Sequence, residues 1–100
     1  MKYNKLVRDN IPEHIKNKGE MALTHIADDK EYWLKLKEKL SEEVKEFFGN
    51  ESIEEMADIL EVIEAINTFK DFNGKELSQV KEKKAAEKGK FQKRIILDES

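Results

Sequence analysis

The chain has 100 residues, enough for one domain with a single modest hydrophobic core, and we place that domain at residues 1–100. Charged residues make up 41% and hydrophobic residues 38%, and the lack of cysteine excludes a disulfide framework and a thiolate metal site. The formal net charge of −3 argues against general nucleic-acid binding. No apolar run approaches the roughly 18 residues of a membrane span and no signal-peptide core is present, so we expect a cytoplasmic protein without a membrane partner.

The first predicted helix begins after Asn10, with Glu13 three residues later as its capping-box partner. Pro12 lies in its first turn, and the helix ends near Gly19, a residue type that is common just beyond helix ends. The following segment, 20–27, carries no helix signal and is compatible with an extended strand or a loop.

Three longer helices follow in the chain. Asp28 with Glu31, and Ser52 with its own glutamate three residues on, are capping boxes that open the second and third helices. Gly89 ends the fourth helix. Their predicted ranges are about 29–48, 53–70 and 75–88. The closing stretch FQKRIILDES contains a β-branched pair, and its pairing with segment 20–27 as a strand is an open alternative.

These elements predict an all-α protein, a small helical bundle of about four helices. Only about four residues separate the second and third helices, so they should form a central antiparallel hairpin. A bundle of this size often needs a partner subunit to cover its apolar faces. We therefore expect oligomerisation to complete the bundle.

Residues 41–61 contain eight carboxylates, and a helical projection turns several of them inward. Glu43 falls within the apolar stripe of the second helix and Glu46 on its flank, whereas Glu55 falls within the stripe of the third helix and Asp58 on its border. Four carboxylates in one partly desolvated cleft would repel by roughly several kcal/mol. Either some are protonated or cations neutralise them, and clustered oxygen ligands favour Mg²⁺ or Mn²⁺.

The same acids also have an ordinary explanation. Glu55 is the third residue of the capping box on Ser52, which alone accounts for a glutamate there. An acidic i, i+3 pair is common in a chain of this composition, although two such pairs across a short hairpin are less so. Geometry alone leaves a metal site and a charged surface both open.

Three stretches resemble one protein family. The sequence from Glu42 to Glu46, EEVKE, followed by EMAD from Glu55 to Asp58, resembles the EExxE…ExxD signature of the MazG-like all-α nucleoside triphosphate pyrophosphohydrolases. YNKLVRDNIPE at 3–13 and KAAEKGKFQKRIIL at 84–97 resemble the opening and closing elements of the phosphoribosyl-ATP pyrophosphohydrolase-like branch. The resemblance extends along the whole chain.

The resemblance implies hydrolysis of a nucleoside triphosphate between its α and β phosphates, giving a monophosphate and pyrophosphate. It also implies nucleotide-pool house-cleaning, Mg²⁺ with Mn²⁺ as a substitute, and a homodimer or homotetramer. The metal ligands that it implies are Glu43, Glu46, Glu55 and Asp58. Its catalytic residues would be Glu42, Glu43 and Glu46, with Glu42 as an extra ligand or as the group that orients the attacking water.

Basic residues in the two outer stretches are candidates for binding substrate phosphates. These candidates are Lys5, Arg8, Lys84 and Lys88. The match departs from the branch where Asn10 replaces a usual lysine and where Lys88-Gly89-Lys90 replaces Arg-Gly-Gly. A lysine keeps the charge of arginine but loses its bidentate fork, so nucleotide contacts at this end should differ from those of the family.

Two other functions remain open. A non-catalytic helical module that retains the fold and binds nucleotide or a protein partner would also carry these motifs. RNA binding through residues 81–94, which hold seven basic groups, is a third hypothesis, and the acidic remainder of the chain argues against it.

Overall fold

A computed structural model describes residues 3–100, which form four α-helices and no β-strand. The helices are α1 (Ile11–Asn17), α2 (Asp29–Gly49), α3 (Ile53–Phe69) and α4 (Gly74–Lys88). The predicted all-α helical bundle is therefore confirmed, and the ends of α2, α3 and α4 lie within one residue of their predicted positions. Within the described residues, none of the helices is long and apolar enough to cross a membrane.

Side-chain caps define the starts of the three longer helices. Asp28 Oδ1 accepts a hydrogen bond from the Glu31 N–H at 2.8 Å, and Ser52 Oγ accepts one from the Glu55 N–H at 3.3 Å. Asn73 Oδ1 accepts two bonds, at 2.9 and 3.1 Å, from N–H groups in the first turn of α4. Each cap satisfies an N–H that the helix itself leaves without a partner.

The short helix α1 begins differently from the prediction. Asn10 precedes it, but the Asn10 side chain makes no capping hydrogen bond, so the predicted capping box is wrong. Its C-terminus follows the expectation, because Gly19 adopts a positive φ of 80°. The Gly19 N–H donates to Lys16 O at 2.9 Å and the Glu20 N–H donates to Ile15 O at 3.2 Å, which together form a Schellman motif.

The suggested strand pairing of the tail with segment 20–27 is also wrong. Neither 20–27 nor 91–100 contains a strand. Leu23, Ile26 and Phe91 are almost fully exposed. The large apolar residues of these two segments are exposed within the described chain, and β propensity alone does not form a ladder.

The core lies between α2 and α3, which pack as an antiparallel hairpin joined by residues 50–52. Leu36 of α2 is 1% exposed and Val62 of α3 is 8% exposed. At the open end of the hairpin, Trp33 stacks on Phe69 with ring centroids 5.6 Å apart and planes 8° from parallel. This contact sets the register, so residues late in α2 lie opposite residues early in α3.

The single chain is more extended than a compact domain of its size. Its radius of gyration is 18.0 Å, against about 13 Å for a compact chain of 100 residues. Its accessible surface is 9552 Å², against roughly 5,900 Å² for a folded monomer of this mass. Neither α1 nor α4 packs extensively against the hairpin. Much of the apolar surface of the hairpin is therefore uncovered in one chain.

We expect Leu36→Ala to lower the free energy of unfolding by about 2–5 kcal/mol, because it leaves a cavity at the centre of the α2–α3 contact. Leu34→Ala, which truncates a half-exposed leucine on the same helix, is the matched control and should cost less. Urea denaturation followed by circular dichroism measures both. Equal losses in the two variants would contradict a core centred on Leu36.

Candidate metal centre

Three carboxylates meet at the loop end of the hairpin. Glu43 comes from α2, and Glu55 and Asp58 come from the first two turns of α3. One carboxylate oxygen from each lies within 4.8 Å of the corresponding oxygens of the other two. The short loop and the antiparallel register produce this arrangement, because they place the end of α2 beside the start of α3.

One acid of the cluster is buried, and the other two are partly buried. Glu43 is 6% exposed, and it is the one charged residue that is buried in residues 3–100. Glu43 Oε2 and Glu55 Oε2 are both buried and have no hydrogen-bond partner within that range. An unsatisfied buried acceptor costs about 1–3 kcal/mol, and more if it is charged. Two such oxygens beside a third carboxylate form an all-oxygen donor set that suits Mg²⁺ or Mn²⁺.

The charges at the cluster favour the binding of a cation. Two unit charges within 4.8 Å of each other repel by at least about 3.5 kcal/mol at an effective dielectric constant of ~20. Two basic side chains offset part of this repulsion, since Lys39 Nζ lies 3.2 Å from Glu43 Oε1 and Arg8 Nη2 lies 2.7 Å from Asp58 Oδ1. If all five groups are ionised, one net negative charge remains, and a divalent cation would be attracted to it.

The other two predicted acids lie at the margin of this cluster. Glu46 is exposed and is not among the three grouped carboxylates. Glu46 lies one turn after Glu43 on α2, and side chains at this spacing are neighbours on a helix surface. A rotation of the Glu46 side chain would therefore bring its carboxylate nearer to the cluster. Glu42 is half-buried and pairs with Lys5 and Lys39, each at 3.6 Å. The ligand role of Glu46 and the water-orienting role of Glu42 stay predictions.

The four basic candidates divide into two groups. Lys5 and Arg8 lie beside the acids, because Lys5 pairs with Glu42 and Arg8 pairs with Asp58. Lys84 and Lys88 lie on α4, which makes no extensive contact with α2 or α3. A single chain therefore brings the N-terminal pair, and not the α4 pair, to the candidate centre.

Two contributors were not singled out from the sequence. Lys39 contacts Glu43 directly, and its i, i+4 spacing from that glutamate is a signal that the sequence does contain. Glu61 lies 3.7 Å from Arg8 Nη1 and so helps Asp58 to position the guanidinium. No local pattern predicts that second contact, because Arg8 and Glu61 are far apart in the chain.

The chain matches no protein-family model, no curated protein and no solved structure. The likeness to the MazG-like pyrophosphohydrolases therefore rests on the residues of the three stretches quoted above.

We expect the chain to bind Mn²⁺, and Glu43→Gln to weaken that binding at least about tenfold, because it removes a buried anionic ligand. Glu46→Gln is the matched control, one turn further along α2, and should weaken binding less because Glu46 is exposed. Isothermal titration calorimetry measures both affinities. Equal affinities of Glu43→Gln and the unmodified chain for Mn²⁺ would exclude this cluster as the site.

Proposed function

We propose that the protein is a Mg²⁺-dependent nucleotide pyrophosphohydrolase of the cytoplasm, which removes unwanted nucleotides from the pool. The observation that carries this proposal is the cluster of Glu43, Glu55 and Asp58 with its two unpaired buried oxygens. The sequence resemblance of the same residues supports the choice of reaction. Water would add across the bond between the α and β phosphates, giving a monophosphate and pyrophosphate.

Each residue near the cluster has a distinct task in this proposal. Glu43, Glu55 and Asp58 would hold Mg²⁺, with Mn²⁺ as a substitute, and Glu46 would join them by turning inward. Such an ion neutralises charge on the phosphate oxygens and makes a bound water more acidic. Glu42, beside the cluster, would orient the attacking water and accept its proton. In this proposal its contacts with Lys5 and Lys39, each at 3.6 Å, would hold the carboxylate in place.

Assembly is a second part of the proposal. Met56, Leu60 and Ile63 of α3 are exposed in one chain, and with Asn67 they follow a spacing of four, three and four residues. That spacing gives an apolar seam along one face of a helix. The chain exposes roughly 3,600 Å² more surface than a compact monomer, which exceeds the roughly 1,000–2,500 Å² that each partner of an obligate homodimer commonly buries, so a subunit contact of that size has ample surface to cover.

A second copy of the chain is the partner that this seam fits best. Asn67 extends the seam and is half-buried within one chain. A polar residue in an apolar seam can fix the register of two helices, at some cost in stability. We place the subunit contact of a homodimer, or of each pair in a homotetramer, along Met56, Leu60, Ile63 and Asn67.

We expect the protein with Mg²⁺ to release pyrophosphate, and not orthophosphate, from at least one nucleotide in a panel of canonical and modified triphosphates. Chelation of the metal should abolish turnover. Phosphorus NMR of the products distinguishes cleavage between the α and β phosphates from cleavage at the γ phosphate.

Glu43→Gln should abolish this turnover while leaving helicity intact, because it removes a ligand and not a core methylene group. Lys75→Gln, an exposed position on α4, is the control and should retain turnover. Orthophosphate as the product would contradict the proposed bond cleavage. A chain that binds nucleotide but turns over none of the panel would favour the non-catalytic module.

We expect light scattering coupled to gel filtration to give at least a dimeric mass, and Leu60→Asp to lower that mass by placing a charge in the α3 seam. Leu23→Asp is the matched control, since Leu23 is exposed but lies outside the helices. A monomeric mass for the unmodified chain would exclude the seam as a subunit contact. So would an unchanged mass for a folded Leu60→Asp protein.

A further inference from the structure

Among the basic groups of residues 3–100, Arg8 makes the shortest contact to the carboxylate cluster. Its Nη2 donates a hydrogen bond of 2.7 Å to Asp58 Oδ1, and its Nη1 lies 3.7 Å from Glu61 Oε1. Asp58 and Glu61 are one turn apart on α3, so the guanidinium bridges two acids of one helix face. One of these two acids belongs to the candidate metal centre and the other does not.

The charges around the cluster suggest why Arg8 is there. Without a metal ion, Lys39 and Arg8 offset two of the three carboxylate charges. A divalent cation would supply the same two positive charges from inside the cluster. Either the two side chains or one divalent ion can therefore balance two of the three cluster charges, and a cation bound at Asp58 would compete with Arg8 for the same carboxylate.

Arg8 is better placed to move than Lys39. Lys39 belongs to α2 and faces Glu43 four residues along the same helix. Arg8 belongs to a segment, 3–10, that has no helix or strand, and its side chain is 55% exposed. An exposed ion pair adds little to stability, typically below about 1 kcal/mol, so releasing it costs the fold little.

We propose that Arg8 takes the place of the divalent cation at Asp58 in the metal-free protein and is displaced from Asp58 when the cation binds. The freed guanidinium, still close to the site, then binds phosphate oxygens of the nucleotide. Its planar fork suits phosphate, which accepts two parallel hydrogen bonds from it. The inference rests on the proposed metal centre and assigns to Arg8 two successive partners, a carboxylate and then a polyphosphate.

Titrations of Arg8→Gln with Mn²⁺ alone, and with inorganic pyrophosphate at saturating Mn²⁺, test this exchange. We expect Mn²⁺ to bind about two- to fivefold more tightly than to the unmodified chain, because no side chain has to be displaced from Asp58. We expect pyrophosphate to bind at least about fivefold more weakly, because the guanidinium is missing. A merely structural role would not move the two affinities in opposite directions.

Two further variants separate charge from geometry. Arg8→Lys keeps the charge but not the fork, so it should bind Mn²⁺ like the unmodified chain and pyrophosphate with intermediate affinity. Lys35→Gln removes one positive charge and an ion pair of 3.2 Å with Glu38, which is outside the cluster. It should leave both affinities unchanged. Circular dichroism confirms that each variant retains its helices.

The possible failures are distinguishable. If the unmodified chain binds Mn²⁺ but Arg8→Gln does not tighten that binding, or does not weaken pyrophosphate binding, the exchange is wrong and the metal centre stands. If Lys35→Gln reproduces the Arg8→Gln result, the effect is one of general charge and the exchange is again wrong. If the unmodified chain binds no Mn²⁺, both the exchange and the proposed function are wrong.

Discussion

The packing of α2 against α3 across a three-residue loop is the constraint on which the rest of the molecule depends. A loop this short requires antiparallel neighbours, and the stacking of Trp33 on Phe69 at the open end fixes how far each helix extends past the other. Leu36 and Val62 are buried between the two helices. The same register brings Glu43 close to Glu55 and Asp58, so the pairing of α2 with α3 forms both the core and the candidate metal centre.

Placing acids in that interface conflicts with its role as a hydrophobic core. Glu43 occupies a position where a leucine would pack, and two carboxylate oxygens nearby have no partner in residues 3–100. Lys39 and Arg8 offset part of the carboxylate charge in the absence of a cation. Charged residues that cluster at a cost in stability are typical of a functional site.

Helices that are marked by capping residues or by apolar periodicity could be predicted from the sequence. Contacts between residues far apart in the chain could not. Capping residues predicted the starts of α2 and α3 and the end of α4, and helical periodicity predicted that Glu43 and Glu55 face inward. The pairing of Arg8 with Asp58 depends on how segment 3–10 runs across α3, and no pattern within that segment specifies its path. The tail strand failed for a related reason, because its β-branched residues have nothing to pair with in one chain.

The central claim is that Glu43, Glu55 and Asp58 form a divalent-cation site. The most direct test is an anomalous difference map from crystals grown with MnCl₂, since manganese scatters anomalously and the side chains do not. We predict a peak within coordination distance, about 2.0–2.4 Å, of an oxygen of each of the three carboxylates. A map with no peak there, from crystals that show bound manganese elsewhere on the chain, would contradict the account.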